Sequence, residues 1–477
     1  MSSKTKVHPL YTAMLEAWNK CNDAFMGSDT VKSKRDTYLP PTSGMRQDGF
    51  GKGDTAGEQS YQAYLTRAYF PDVFAEAVET AIGVMHRKPA IINVTPKLEV
   101  MLERASSTGE DLQMLLRRIN ALQLRSGRLA LLGDIEVGTD NLPRPTIKIY
   151  SERSAYNWDE CKLASGEGLS LRFVALDESG YELQTNFEWE HKDRTRLLAL
   201  INPETKQLAV KDENGEIPSN AVYGYAELED NDDFAKAQYD IVNAQGTTLD
   251  QIPLVFINSK DLNPSPDKPP LEGLADLMFT IYRGEADYRQ HIFEQSQDTL
   301  VRIGANGDEE EVRIGSGALI DVPINGDAKF IGVNSQGLTE QRTALENDYK
   351  KAEAKSSKLM SQAGEGAESG EALRIRVAAQ TATLPQIAEA GAQGLTTVLK
   401  QLAVLLGDNP DDIIVTPNKE FTDTSGNAQT LTGIVTAKFQ GAPISDESIH
   451  AWMVENKFTS KTYEEEIALI NAEEPRV

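Results

Sequence analysis

Cysteine is nearly absent: Cys21 and Cys161 are the only two in 477 residues. A pair this isolated excludes a disulfide framework and fits a reducing cytosol. Long apolar runs are missing too. No stretch reaches the roughly 18 continuous apolar residues of a membrane span, and the opening Met-Ser-Ser-Lys-Thr-Lys leads into no apolar signal core. The expectation is a chain that neither spans a membrane nor leaves the cell by that route. Positive charge is in deficit, with 48 basic against 73 acidic residues and a formal charge of -25. That balance disfavours phosphate-neutralising contact and so argues against a sequence-specific DNA binder.

Catalytic signatures are missing as well. The histidines His8, His86, His191, His291 and His450 are scattered, with no partner at metal-ligand spacing on a common element, and read as surface or packing residues. There is no Gly-x-Ser-x-Gly elbow, and neither cysteine sits in a nucleophile motif. Gly49-Phe50-Gly51-Lys52-Gly53 suggests a phosphate cradle, but it follows no strand and lacks the Gly-Lys-Ser/Thr ending. The acidic patch Glu227, Glu229, Asp230, Asp232, Asp233 lacks the glycine and closing glutamate of a calcium loop. Asp308-Glu309-Glu310-Glu311 suggests a metal-dependent nuclease, yet consecutive carboxylates on a turn diverge and read as a solvated tip. Asn93-Val94-Thr95 matches a glycosylation acceptor without the secretory context that would use it. No catalytic residue, cofactor or metal site is expected, and no enzyme.

What is present is helical periodicity between Pro269 and Leu406. Leu271, Leu274, Met278, Ile281, Tyr288 and Ile292 recur at three- and four-residue steps and predict a helix to about Gln297. At 1.5 Å per residue it is a rod of roughly 40 Å. A second rod starts near Leu338, with Leu338, Leu345, Ala352 and Leu359 at heptad spacing and Tyr349 and Ser356 in the offset positions. Between the rods, Thr299–Ile303, Glu311–Ile314, Ala318–Val322 and Lys329–Val333 read as short strands. Rods with narrow apolar stripes have few partners within their own chain, so copies arranged as a ring are expected to supply the packing.

The first half reads as an α+β body, with an antiparallel sheet and helices packed against it. Helices are expected over residues 8–26 and Glu58–Val84 and from near Ser107, where Ser107 and Glu110 have capping-box spacing, to near Gly127. Ser43–Gly57 reads as a mobile glycine-rich loop. Strands are expected over Leu129–Val137, Thr146–Tyr150, Leu169–Leu176, Tyr181–Trp189, Leu197–Ile201, Gln207–Val210, Tyr223–Leu228 and Ile252–Ile257, with turns such as Asp212-Glu213-Asn214-Gly215 between them. The proline-rich 258–270 segment is a stiff connector into the first rod. After the second rod, Ser361–Gly370 reads as a flexible acidic loop. Helix resumes at Glu371 towards Leu406 with a kink near Pro385, followed by a strand at Asp411–Thr416. Three short helices close the chain: Asn427–Phe439, Asp446–Asn456 capped by Ser445, and Tyr463–Ala472 with Thr462 and Glu465 at capping-box spacing.

Several segments in this order resemble the portal proteins of tailed bacteriophages. They are Gly83-Val84-Met85-His86-Arg87-Lys88-Pro89, Ile252–Asn258, Lys268–Leu277 running on to Ala286-Asp287-Tyr288-Arg289, Glu368–Leu373, and Ile444-Ser445-Asp446-Glu447 leading to Glu464-Glu465-Glu466. His86 departs from the bulky aromatic common at its position and is given no role. The resemblance implies a ring of about twelve copies at the capsid vertex of a virion, through which double-stranded DNA passes non-specifically during packaging and ejection. It implies an α+β wing at 1–268, stem helices at 269–298 and 337–360, and a small α/β clip at 299–336. A tunnel loop would fill 361–370, a long wing helix and returning strand 371–426, and a short helical crown 427–477.

By the same resemblance Gln362, Gly364, Glu365, Gly366, Glu368 and Ser369 would meet DNA at the narrowest point. Asn306, Asp308, Glu309, Glu310, Asn325 and Asp327 would lie where the terminase large subunit and head-completion or adaptor proteins dock. Major capsid protein and scaffold are further implied partners. Lys350, Lys351, Lys355 and Lys358 stand out on an acidic chain. They either face the channel or a neighbouring copy, or form a solvated face with local pairs such as Glu346–Lys350. Two other functions compete: an acidic adaptor or scaffold protein of a tail or capsid complex, and a metal-dependent nuclease using clustered carboxylates.

Overall fold

The computed structural model describes residues 6–137, 143–163, 168–229, 234–243, 247–296, 300–303, 319–322, 335–357, 383–419, 428–455 and 458–472. The chain divides into Met1–Lys419 and Glu420–Val477.

The first unit is a mixed α+β body built on a continuous apolar run. Strand β2 (Arg128–Val137) lies between β3 (Pro143–Ser151) and β13 (Leu254–Asn258) in an antiparallel sheet. Side chains alternate across a strand, so an unbroken Leu129-Ala130-Leu131-Leu132 requires cover on both faces. Leu129 and Leu131 join Leu115, Ile119, Leu395 and Leu399 in one core. Ala130 and Leu132 join Trp158, Val174, Leu198 and Phe256 in the other. The first core receives α6 (Leu112–Ser126) and α9 (Thr383–Leu405). The second is shared with a seven-stranded sheet ordered β10-β4-β5-β8-β11-β12, with β12 (Asp240–Ile241) at one edge and β9 (Gln207–Leu208) paired to β8. Its long members are β4 (Ala155–Leu163), β5 (Leu169–Asp177), β8 (Arg194–Asn202) and β11 (Val222–Glu229). These pair antiparallel, and the short β10 (Glu216–Ile217) runs parallel to β4. Two glycines let α9 approach: a Cβ on Gly394 would lie 2.3 Å from Ile257, and one on Gly391 2.6 Å from Asn120. Downstream, β16 (Ile414–Thr416) pairs with β1 (Ile91–Asn93).

Several expectations change. The helix over 58–84 is two, α4 (Ala56–Arg67) and α5 (Val73–Met85), because Pro71 interrupts between them. The cap of α6 is not the Ser107/Glu110 box: Asp111 accepts from the amide of Met114 at 2.7 Å, and Glu110 is turned back on Ser106. Ser43–Gly57 is an ordered turn rather than a mobile loop. Thr42 caps α3 (Ser43–Gln47), Gly49, Gly51 and Gly53 take positive φ, and the Thr55 hydroxyl donates to the Gly49 carbonyl while capping α4. The strand over Tyr181–Trp189 is a hairpin of β6 (Gly180–Leu183) and β7 (Trp189–Lys192), turned at Phe187.

In the second unit, α10 (Ala428–Phe439), α11 (Asp446–Glu455) and α12 (Tyr463–Ala472) match the three expected helices. Ser445 accepts from the amide of Ser448, and Thr462 and Glu465 form the reciprocal box at 2.9 and 3.3 Å.

Gly57 tests the ordered turn, since a Cβ there would sit 2.2 Å from the Met45 carbonyl oxygen. Gly57→Ala is expected to destabilise the first unit by about 1–3 kcal/mol, read as a lower urea midpoint at unchanged slope.

Candidate functional site: a helical hairpin leaving the body

The two rods are real. Helix α7 (Glu272–Gln295) and helix α8 (Ser335–Ser357) pack together. The heptad face of α8 turns inward as its spacing demands, with Leu345, Ala352 and the offset Ser356 buried. Gly284 gives Leu345 room, for a Cβ there would lie 2.9 Å from Leu345 Cδ2. Glu285 accepts from Arg289 at 2.7 Å and from the Tyr349 hydroxyl at 3.0 Å, which ties the helices across a partly buried ion pair. Burial and the Glu285 charge push the Tyr349 phenol up. Towards the far end His291 meets Gln341 at 3.1 Å, and at the near end Lys355 donates to the Gly273 carbonyl at 2.8 Å.

The expectation that the rods have few partners in their own chain is corrected for the first two-thirds of α7. Leu274, Met278, Ile281 and Tyr282 are buried, and Phe279 stacks on Tyr38 at 4.1 Å. The Tyr64 hydroxyl donates to Asp287, Arg67 to Gln290, and Lys20 pairs with Asp276 at 2.6 Å. These residues lie on α1 (Pro9–Met26), on α4 and, for Tyr38, in the segment before α3, hundreds of residues away in sequence. Only beyond them do Ile292 and Phe293 become exposed, at 41% and 40%.

The lysines divide. Lys355 is spent on Gly273, Lys351 pairs with Asp348 at 2.8 Å, and Lys350 is exposed. The expected Glu346–Lys350 pair does not form, because Glu346 takes Arg342 at 2.8 Å. Of the four short strands between the rods, two are described: β14 (Leu300–Ile303) and β15 (Leu319–Val322), paired in parallel from Leu300↔Leu319 to Ile303↔Val322. Asn306, Asp308, Glu309, Glu310, Asn325 and Asp327 lie outside the described residues, as do Lys358, Gln362, Gly364, Glu365, Gly366, Glu368 and Ser369. So do the resumption of helix at Glu371 and most of the acidic 227–233 patch.

Among the described residues no group of three His, Cys, Asp or Glu side chains could hold a metal ion. His86 is half-buried with its Nε2 2.9 Å from Asn120, and burial lowers its pKa. Burial pushes the Cys21 thiol up to about 12, which makes it unreactive. Sequence reasoning missed Arg128. Its guanidinium lies 4.2 Å from the Trp158 ring and 4.1 Å from the Phe256 ring, and burial lowers its pKa to about 9. Nothing in the apolar run that follows Arg128 signals this sandwich.

A model of a domain of unknown function, DUF4055, matches residues 270–404, the stretch from the start of α7 to the end of α9. No curated protein matches the chain. Among solved structures, the chain is similar to a chain of the neck of an empty GTA particle computed with C6 symmetry. The two are 12% identical, with a TM-score of 0.36, and the likeness covers 89% of this chain and 93% of that one.

If the Gly284 notch seats Leu345, the two positions must be energetically coupled. Gly284→Val and Leu345→Ala are each expected to destabilise, the latter by about 2–5 kcal/mol. The double variant should recover at least ~0.5 kcal/mol of the summed loss in a denaturation cycle.

Proposed function

We propose that this chain is a portal subunit, one copy of a ring of about twelve at a capsid vertex, through which double-stranded DNA is packaged and ejected. The observation that carries the reading is the path of the chain. From Pro269-Pro270 it runs along α7, whose first two-thirds packs on α1 and α4, and comes back along α8, and α9 is seated in the core from which it set out. Such a hairpin supplies a stem, and the β14–β15 pair between its arms a clip where terminase and head-completion proteins dock. A charge of -25 suits the task, because an acidic conduit repels a polyanion that must slide and not stick. No catalysis is assigned to it. Of the stem lysines, Lys350 and Lys351 are the candidates for facing DNA or a neighbouring copy, since Lys355 serves the hairpin itself. The 361–370 loop is the proposed gate, and residues 306–310 with 325–327 the proposed docking tip.

An acidic adaptor of a tail or capsid complex is the second reading. The burial of α7 within its own chain favours it, since a rod so covered needs copies less than a bare one. Native mass spectrometry of the full chain separates the two. A species near twelve subunits is expected, and a solitary chain or small stable oligomer would favour the adaptor.

Lys350→Glu with Lys351→Glu should leave ring formation intact while changing DNA packaging or retention, and unaltered packaging rejects the channel-facing role. Gly364→Pro with Gly366→Pro should block head filling with rings still formed. Heads that fill normally remove the gate.

A further inference from the structure

Strand β3 is the outer strand of its sheet. Gly133 donates to Pro253 at 2.8 Å, so the odd residues of β2 bond towards β13 and the even ones towards β3. Alternation then turns the backbone of Ile147, Ile149 and Ser151 away from β2. The Ile147 N–H is taken by the Ala105 carbonyl at 2.8 Å, as though a fourth strand had begun, but that segment turns off into the 105–110 loop after one bond. Beyond it, the Ile149 N–H and C=O and the Ser151 N–H have no hydrogen bond on their outer side among the described residues.

Two cavities run along this bare edge, of about 390 and 290 Å³, and both are lined by Ile149 and by Arg118 of α6. The second is also lined by Phe25, Leu122, Arg125 and Ser151. Arg118 already has Glu110 at 3.0 Å. Arg125 has no ion pair among the described residues: its guanidinium lies 5.2 Å from the Phe25 ring, and its Nε is buried without a partner. Burial lowers its pKa, against the opposing charge of the buried Glu152, which lies 3.3 Å from Arg153 and makes no ion pair with Arg125.

We propose that the Ile147–Ser151 edge is a strand-acceptor site for an extended acidic segment of a second copy of this chain. The backbone of the incoming segment bonds Ile149 and Ser151, and one of its carboxylates reaches Arg125. Charge complementarity selects the donor, since the chain carries 73 acidic residues. Pairing β3 with β3 would set Arg125 near Arg125, so the contact joins two different surfaces, a head-to-tail geometry that gives a ring where the rotation closes and never a two-fold dimer. The identity of the donor rests on the ring proposed above.

The test is amide exchange by mass spectrometry on the full chain, in dilute and assembled states, for wild type, Ile149→Pro and Arg125→Glu. Assembly should slow exchange at Ile149 and Ser151 by ~10-fold or more. Both variants should raise the concentration needed for assembly by at least ~10-fold. Arg125→Glu leaves the backbone untouched and decides the matter if the proline variant misfolds. Rings that form with this edge still exchanging freely, and equally well from Arg125→Glu, overturn the acceptor site and leave the ring standing. Protection already present in the dilute monomer overturns it in favour of a segment of the same chain. A wild type that stays monomeric at every concentration removes both.

Discussion

A helical hairpin keeps its place on a body only if the chain is held firmly on both sides of it. Here the burial of α9 against β2, β13 and α6 does the holding. Leu395, Val398, Leu399 and Leu402 bury fully in the same cluster as Leu115, Ile119, Leu129 and Leu131. Burying each such side chain contributes about 1.5–3 kcal/mol of transfer free energy. Gly391 and Gly394 set how close the helix can come. The hairpin, the parallel strand pair and everything proposed for them depend on that anchor.

The hairpin combines two kinds of contact. Near the body, α7 is an ordinary core helix, apolar on the faces that meet α1, α4 and α8. Farther out its support passes to polar bonds such as His291–Gln341, and apolar side chains come to the surface. Exposed pairs contribute little in water, about 0–1 kcal/mol, so the outer part of the hairpin has less holding it than the inner part. A surface of that kind gains most from a neighbour.

Much of the architecture was legible because local rules decided it. Leu112–Ser126 ends at Gly127 in the left-handed conformation, and the turn at Asp212–Gly215 is closed by the Asp212 carboxylate as turn chemistry demands. Strand β4 was not legible. Its buried residues are Ala155, Trp158 and Cys161, three apart, because register shifts beside Asn157 and Glu160 break the two-residue alternation a strand normally displays. The partners of α7 were hidden for another reason. Tyr38, Tyr64 and Arg67 carry no mark that they will meet residues more than two hundred positions later. At the candidate site, the helices and their inward heptad face followed from spacing. The competition in which Arg342 displaces Lys350 from Glu346 depends on rotamers that spacing does not encode.

Cys21 and Cys161 have a further use. Cys21 lies beneath the N-terminal helical layer and Cys161 in the core under the large sheet, both reduced and both sealed from solvent. A thiol reagent can reach either only when its own layer opens, so the two modification rates clock the breathing of helices and sheet separately. The native chain thus carries two internal reporters of local unfolding, with no engineered label required.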